Sequence, residues 1–211
     1  VVVTKAAPPW IFGALAETGV RDVGETRVQA AATRRPGAPE GLTWHGIGHL
    51  QRNKAGQAVR LFDVFHALDS ARLADRLESV LAGDSRVWPV YIEVHAAADP
   101  AKAGVAPEET LAFMKDVCRH PHLDCRGFMT MARLGAGEHE LRQTFSALRE
   151  IRDEAGRQGI GDKPADQLSM GMTDDFEIAV EEGATVVRVG RAIFDRPCQE
   201  ADRGHAEEER V

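Results

Sequence analysis

The sequence predicts an α/β fold, a parallel sheet closed as a single-domain (β/α)8 TIM barrel, on three observations. Strand-like and helix-like stretches alternate about eight times along the chain, a pattern that favours a parallel sheet covered by helices. The G-x-G-x-x-G turn of an open doubly wound sheet is missing after the first strand, where Lys5-Ala6-Ala7-Pro8-Pro9 stands, so that arrangement comes second. The length, 211 residues, lies near the lower limit for a barrel and suits one core.

Residues 1–5 (VVVTK) are β-branched up to a lysine and read as the first strand. Pro8-Pro9 and a patch with Trp10, Ile11 and Leu15 give a loop and a helix that Gly19 stops. Residues 21–25 read as a strand, 26–33 as a short helix, and 34–41 (RRPGAPEG) as a loop. Residues 42–48 start the next strand, and 51–61 are helical in spite of Gly56. Residues 62–68 form another strand, after which Ser70 stands ready to cap a helix bearing Leu73, Leu77, Val80 and Leu81 and ended by Gly83. In residues 88–95, Val90, Ile92 and Val94 alternate with Tyr91, Glu93 and His95, so both faces of that strand need partners. Pro107, Glu108 and Glu109 open a helix with Leu111, Met114 and Cys118. Residues 123–131 are the next strand, and 138–156 the clearest amphipathic helix, with Leu141, Phe145, Leu148 and Ile151 at helical spacing. Residues 168–194 (LSMGMTDDFEIAVEEGATVVRVGRAIF) close the series: a strand end, a glycine turn, a helix, a Val-rich strand and a second glycine turn. The barrel domain is expected over residues 1–195, lacking a native N-terminal helix, with 196–211 a charged, disordered tail.

Composition excludes several classes. With 26 basic against 33 acidic residues the net charge is −7, which leaves no basic excess to replace counterions on a nucleic acid. Cys118, Cys125 and Cys198 are odd in number and lack metal-ligand spacing, so they read as reduced thiols. No apolar run approaches the roughly 18 residues that cross a membrane. A soluble, cytoplasmic monomer is expected.

Barrel chemistry gathers at the carboxyl ends of the strands, which here carry Lys5, Gly24-Glu25, Gly48-His49, Asp69, His95, Met129-Thr130, Ser169-Met170-Gly171 and Arg188-Gly190. Ser169, Gly171, Thr173 and Gly190 offer small side chains and free backbone N–H groups on adjacent strand ends, where a phosphate can be held. Arg188, in an apolar strand, asks for an anion or an acceptor. Lys5 taken alone is most simply a solvated lysine. Beside a phosphate cup, which closure of the ring brings next to it, it becomes a Schiff-base nucleophile. Asp174 and Asp175 read as cap and dipole partners turned away from a phosphate, His120-Pro121-His122 as a surface loop without a metal, His45 as a satisfied core histidine and His49 as a residue of the mouth.

VVVTK, VGETRVQ, WHGIGHLQRNK, FHALDS, AKAGV, RGFMTM, LSMGMTDDFEIAVEEGATVVRVG and RAIF stand in an order that resembles the pyridoxal phosphate homeostasis protein family, with a match running nearly to Phe194. That family is similar to the barrel domain of alanine racemase, of fold type III. The resemblance implies pyridoxal 5′-phosphate bound as a Schiff base on Lys5, the phosphate on Ser169, Gly171, Met172, Thr173, Gly190 and Arg191, and Arg188 facing the pyridine nitrogen. It also implies a role in vitamin B6 and amino-acid homeostasis, without turnover, and PLP-dependent apoenzymes as partners. An arginine has donors only, so a pyridine nitrogen opposite it stays unprotonated and the ring is a weak electron sink. Racemases of this fold type draw a tyrosine base from a second domain of a partner chain, whereas the one tyrosine here, Tyr91, lies within a strand.

Four departures from the family pattern bear on the site. Thr26 replaces an asparagine near the cofactor's phenolic oxygen, Gly46 replaces a bulky residue and loosens the floor, and His95 replaces an asparagine and is placed for a ring contact. Arg191 replaces a threonine on the phosphate, with Asp195 for a glycine, and its guanidinium can substitute for that hydroxyl. The alternatives are an active racemase or decarboxylase of the same fold type and, from another class, a Schiff-base aldolase acting on a sugar phosphate.

Overall fold

In the computed structural model, which describes residues 1–5, 7–84, 86–97 and 103–194, seven strands stand in chain order in one sheet. They are β1 (Val2–Val3), β2 (Asp22–Glu25), β3 (Thr43–Gly46), β4 (Val64–Leu68), β5 (Trp88–Glu93), β6 (Leu123–Met129) and β7 (Gln167–Ser169). Every neighbouring pair is parallel, so each connection has to cross back over the sheet. The helices α1 (Ile11–Glu17), α2 (Val28–Arg34), α3 (Ala55–Leu61), α4 (Ala71–Leu81), α5 (Pro107–Val117), α6 (Glu138–Arg157), α7 (Phe176–Glu181) and α8 (Arg191–Phe194) are those crossings and the end of the described chain.

The predicted eighth strand is present as an extended segment rather than a ladder. Residues 186–189 bridge β7 through Ser169 and Val186 and bridge β1 through Val2 and Val189. The N–H of Met170 donates to Val186 O at 3.0 Å and that of Val3 to Val189 O at 2.8 Å, so the ring of strands closes. Closure sets β7, the 186–189 segment and β1 side by side.

Outside the ring, helices cover large apolar side chains. Phe12 of α1 lies against Trp44 of β3 with ring centroids 5.1 Å apart, and Phe65 of β4 stacks on Trp88 of β5 at 5.5 Å. Trp88 is wholly buried, and its indole N–H donates to Phe62 O at 3.0 Å, which satisfies the one polar atom such a ring carries into a core. A Cβ at Gly46 would stand 2.9 Å from the Phe62 ring, so Phe62 fills the space that a larger residue would take and the floor there is not loosened. Leu141, Phe145 and Leu148 are the buried stripe of α6. Arg142 and Arg149 on the same helix hold Glu182 at 3.3 and 2.5 Å and so tie α7 to it.

Several local expectations change. Helix α2 starts later than predicted and runs through Arg34, and Arg35–Gly37 add a 3-10 turn where an open loop was expected. Ser70 stands at the N-cap of α4 but accepts no backbone N–H there; its hydroxyl donates to Asp69 Oδ1 at 2.9 Å. The tail expected over residues 196–211 lies outside the described residues.

Truncating Phe145, wholly buried between α6 and the sheet, leaves a cavity, and Phe145→Ala is expected to cost about 3–5 kcal/mol. Urea unfolding should show a lower midpoint at unchanged slope; an unchanged midpoint would contradict this packing.

Candidate functional site

Lys5 follows the end of β1 in an exposed turn. The backbone that carries it is pinned from outside the ring. Thr4, fully buried, donates its N–H to Gly24 O at 3.0 Å and its hydroxyl to Glu25 Oε1 at 2.9 Å. Arg34, from the last turn of α2, donates through Nη1 to Thr4 O and to Glu25 Oε1, both at 2.5 Å, and through Nη2 to Ala7 O at 3.1 Å. One guanidinium thus neutralises a buried carboxylate and fastens the chain on both sides of Lys5. Sequence reasoning missed Arg34, because no short-range spacing links it to Glu25 or Thr4. Glu25 Oε2 is buried with no hydrogen-bond partner.

Two glycines shape the neighbouring strand ends. Gly171 has φ +92°, and a Cβ there would lie 2.6 Å from that of Ala179, so only glycine turns the chain from β7 into α7. A Cβ at Gly190 would lie 2.9 Å from Val3 O, which is how closely this turn passes β1. Among the described residues, the backbone N–H groups of Gly171, Thr173, Gly190 and Arg191 have no hydrogen-bond partner.

The other expected phosphate contacts are engaged within the protein. Met172 donates its N–H to Asp175 Oδ1 at 2.5 Å, so Asp175 closes a turn instead of capping α7. The Arg191 guanidinium pairs with Asp174, both well exposed. Thr173 Oγ1 accepts the N–H of Ala192 at 3.4 Å. Ser169 is wholly buried, and its hydroxyl belongs to the barrel interior.

That interior is polar. Arg188, 3% exposed, donates through Nη1 to Ser169 Oγ at 2.7 Å and through Nη2 to Thr130 O at 3.0 Å. Burial lowers its pKa to about 10, so it stays charged at neutral pH; Glu93 and Asp175 act to raise it. Ser169 Oγ lies 2.8 Å from His66 Nδ1, His66 Nε2 lies 2.9 Å from His45 Nδ1, and His45 Nε2 lies 3.0 Å from Asp22 Oδ1. Since β4 and β7 are not neighbours in the sheet, the bond from His66 to Ser169 has to cross the lumen. Burial lowers the pKa of both imidazoles, that of His66 well below the ordinary range with His45 and Arg188 adding to it, whereas Asp22 partly offsets the shift at His45. His45 is the satisfied core histidine that was expected, whereas nothing in the local sequence flagged His66. Tyr91 stacks on His66 at 4.3 Å, gives its hydroxyl to Gln167 Oε1, and has its pKa raised by burial to about 12.

At the rim, Thr26 and His95 are half-buried, and His95 Nε2 is buried without a partner. His49 pairs with Asp69 at 3.0 Å in a cleft of about 420 Å³ that also takes in Arg52 and Arg72. This cleft includes neither Lys5 nor the 170–173 turn. His122 Nδ1 lies 2.6 Å from Glu78 Oε1, and no cluster of metal-ligating side chains occurs among the described residues. No described helix is long and apolar enough to cross a membrane.

The chain matches the family described as alanine racemase, N-terminal domain, over residues 4–196. It is 34% identical over 192 residues to the pyridoxal phosphate homeostasis protein of Aquifex aeolicus, covering 90% of this chain and 83% of that protein. The structure of PipY from Synechococcus elongatus with PLP bound is 34% identical and superposes with a TM-score of 0.84, covering 92% of this chain and 91% of that one. An alanine racemase from Clostridium difficile, 13% identical, superposes with a TM-score of 0.78 over 94% of this chain and 52% of its own, a likeness of fold.

Removing the guanidinium from a wholly buried carboxylate leaves an unpaired charge, so Arg34→Ala is expected to destabilise the protein by about 3 kcal/mol or more. Adding Glu25→Gln should recover part of that; equal stability of wild type and Arg34→Ala would show that the pair does not hold the end of β1. Both core imidazoles have their pKa lowered by folding, so below about pH 6.5 the unfolded chain binds more protons than the folded one. Stability is complete above that pH and falls as pH drops through it. His66→Phe should flatten this fall in urea midpoints compared between about pH 7.5 and about pH 5.5; an equally steep fall in the variant would contradict the assignment.

Proposed function

We propose, from the premise that this chain belongs to the alanine racemase N-terminal domain family and within it to the pyridoxal phosphate homeostasis proteins, that it binds pyridoxal 5′-phosphate on Lys5 and serves intracellular cofactor homeostasis without catalytic turnover. One observation carries the reading: closure of the ring through Val2 and Val189 sets Lys5, Arg188 and the free N–H groups of two glycine turns on three adjacent strand ends. The orphaned His95 Nε2 is a buried polar atom that a ligand at the rim would satisfy.

In this reading Lys5 Nζ holds the cofactor covalently. The N–H groups of Gly171, Thr173, Gly190 and Arg191 hold the phosphate, as a cluster of outward backbone donors does for any such anion. Ser169 and Met172 leave the phosphate set, because Arg188 with His66 and Asp175 respectively already occupy them. The Arg191 guanidinium, held by Asp174, serves through its backbone. Arg188 faces the pyridine nitrogen as a donor, and Thr26 and His95 flank the ring.

When bound, the cofactor supplies a reactive aldehyde and a ring that can accept electrons. Arg188 moderates the second property, because it brings a proton donor and no carboxylate to the ring nitrogen. Tyr91 is a poor candidate for an acid–base group at the mouth: it is stacked in the lumen and its pKa is raised. A cytoplasmic monomer of domain 1–195 that passes the cofactor to PLP-dependent apoenzymes completes the reading.

Incubation with pyridoxal 5′-phosphate should give a visible absorption band, and borohydride should fix the group on the peptide that contains Lys5. Lys5→Ala should lack both, and alanine should not exchange its α-proton in deuterated water at a catalytic rate. A wild-type protein that stays colourless with the cofactor would overturn the binding role, and rapid exchange would favour an active racemase.

A further inference from the structure

We infer that Asp22, His45, His66 and Ser169 form a hydrogen-bonded chain with a single proton order, and that its members are positioning residues for Arg188. The argument starts from the two ends. Arg188 can only donate and the Asp22 carboxylate can only accept, and between them run four hydrogen bonds of 2.7, 2.8, 2.9 and 3.0 Å. With both imidazoles neutral, one arrangement satisfies all four. Arg188 Nη1–H donates to Ser169 Oγ, and Ser169 Oγ–H donates to His66 Nδ1. His66 Nε2–H then donates to His45 Nδ1, and His45 Nε2–H to Asp22 Oδ1.

With the Asp22 carboxylate ionised, the one rival order reverses the middle of the chain. His66 would carry its proton on Nδ1 and give it to Ser169, His45 would have to be a doubly protonated cation, and Ser169 would lose its donor role. Burial lowers the pKa of both rings, which favours the neutral order, and a cation at His45 would add like charge to a lumen that already holds Arg188.

The chain starts at Asp22, the first residue of β2, whose side chain is 55% exposed, and ends at a guanidinium wholly inside the carboxyl end of the barrel. It crosses the ring by linking β2, β3, β4 and β7 to the 186–189 segment. Its consequence at Arg188 is directional. Ser169 presents a lone pair, never a proton, to Nη1, so that arm of the guanidinium is fixed and the donors left over keep one orientation. Tyr91, stacked on His66 at 4.3 Å, holds that ring in plane. The link from Arg188 to a bound ring rests on the function proposed above, whereas the proton order does not.

Two measurements test this. In cofactor-free protein labelled with 15N-histidine, both core imidazoles should appear as neutral Nε2–H tautomers at about pH 7. An Nδ1–H tautomer at His66, or a cationic His45, would overturn the order. In the second, His66→Phe, which keeps the stacking but breaks the chain, should bind pyridoxal 5′-phosphate about tenfold more weakly, with a shifted absorption maximum. His66→Gln, which keeps an acceptor and a donor, should restore both. Wild-type affinity and spectrum in His66→Phe would overturn the positioning role. A wild-type protein that bound no cofactor would remove the function proposed above and leave the tautomers, which need no ligand and no variant, to decide the chain.

Discussion

Arg188 carries a positive charge into a lumen that solvent does not reach, where an ion without partners costs several kcal/mol. The barrel meets that demand with Ser169 Oγ and Thr130 O. Neither contact would suffice if the groups behind it were disordered. Ser169 has to face Arg188 with a lone pair, which requires an acceptor for its own proton, and His66 is that acceptor. Each further partner imposes the same requirement on the next, until the row ends at a carboxylate partly in water. A polar lumen of this kind is acceptable only when every member is satisfied.

A second constraint acts from outside the ring. β1 contributes two residues to the sheet, too few to fix the lysine that follows. Arg34 supplies what the short strand cannot, by holding two main-chain carbonyls and the buried Glu25 carboxylate together. The eighth segment is held by isolated bridges alone, and the close pass of Gly190 over Val3 brings these two weak elements together. The proposed site therefore sits at the seam of the barrel, where regular pairing is least complete and side-chain bonds replace it.

The turn after β7 uses its acidic residues to keep its own shape. Asp175 takes the Met172 N–H and Asp174 takes the Arg191 side chain, and the donors that remain are all main-chain groups. Backbone donors on a fixed turn lose little freedom when they meet an anion, so the phosphate site proposed for this turn would be preorganised in a way that a flexible arginine could not match.

Much of the architecture was legible in the sequence. Residue pattern alone determined the alternation of strands and helices, the parallel barrel, and the places of Lys5, Arg188 and the glycine turns, because periodicity, glycine and buried charge are local signals. Family resemblance added the cofactor and the roles at its ring. What the tertiary structure decided were the partners of each polar group. Ser169 and Met172 carry the right chemistry for a phosphate, yet Ser169 bonds into the lumen and the Met172 N–H goes to Asp175 of its own turn, and Arg34, read as part of a loop, fastens the end of β1. The row from Asp22 to Arg188 joins residues up to 166 positions apart, and its step from His66 of β4 to Ser169 of β7 links strands that meet only across the lumen. Hydrogen bonds are directional and short-ranged, so closing the ring, and not the order of residues along the chain, selected which donors met which acceptors.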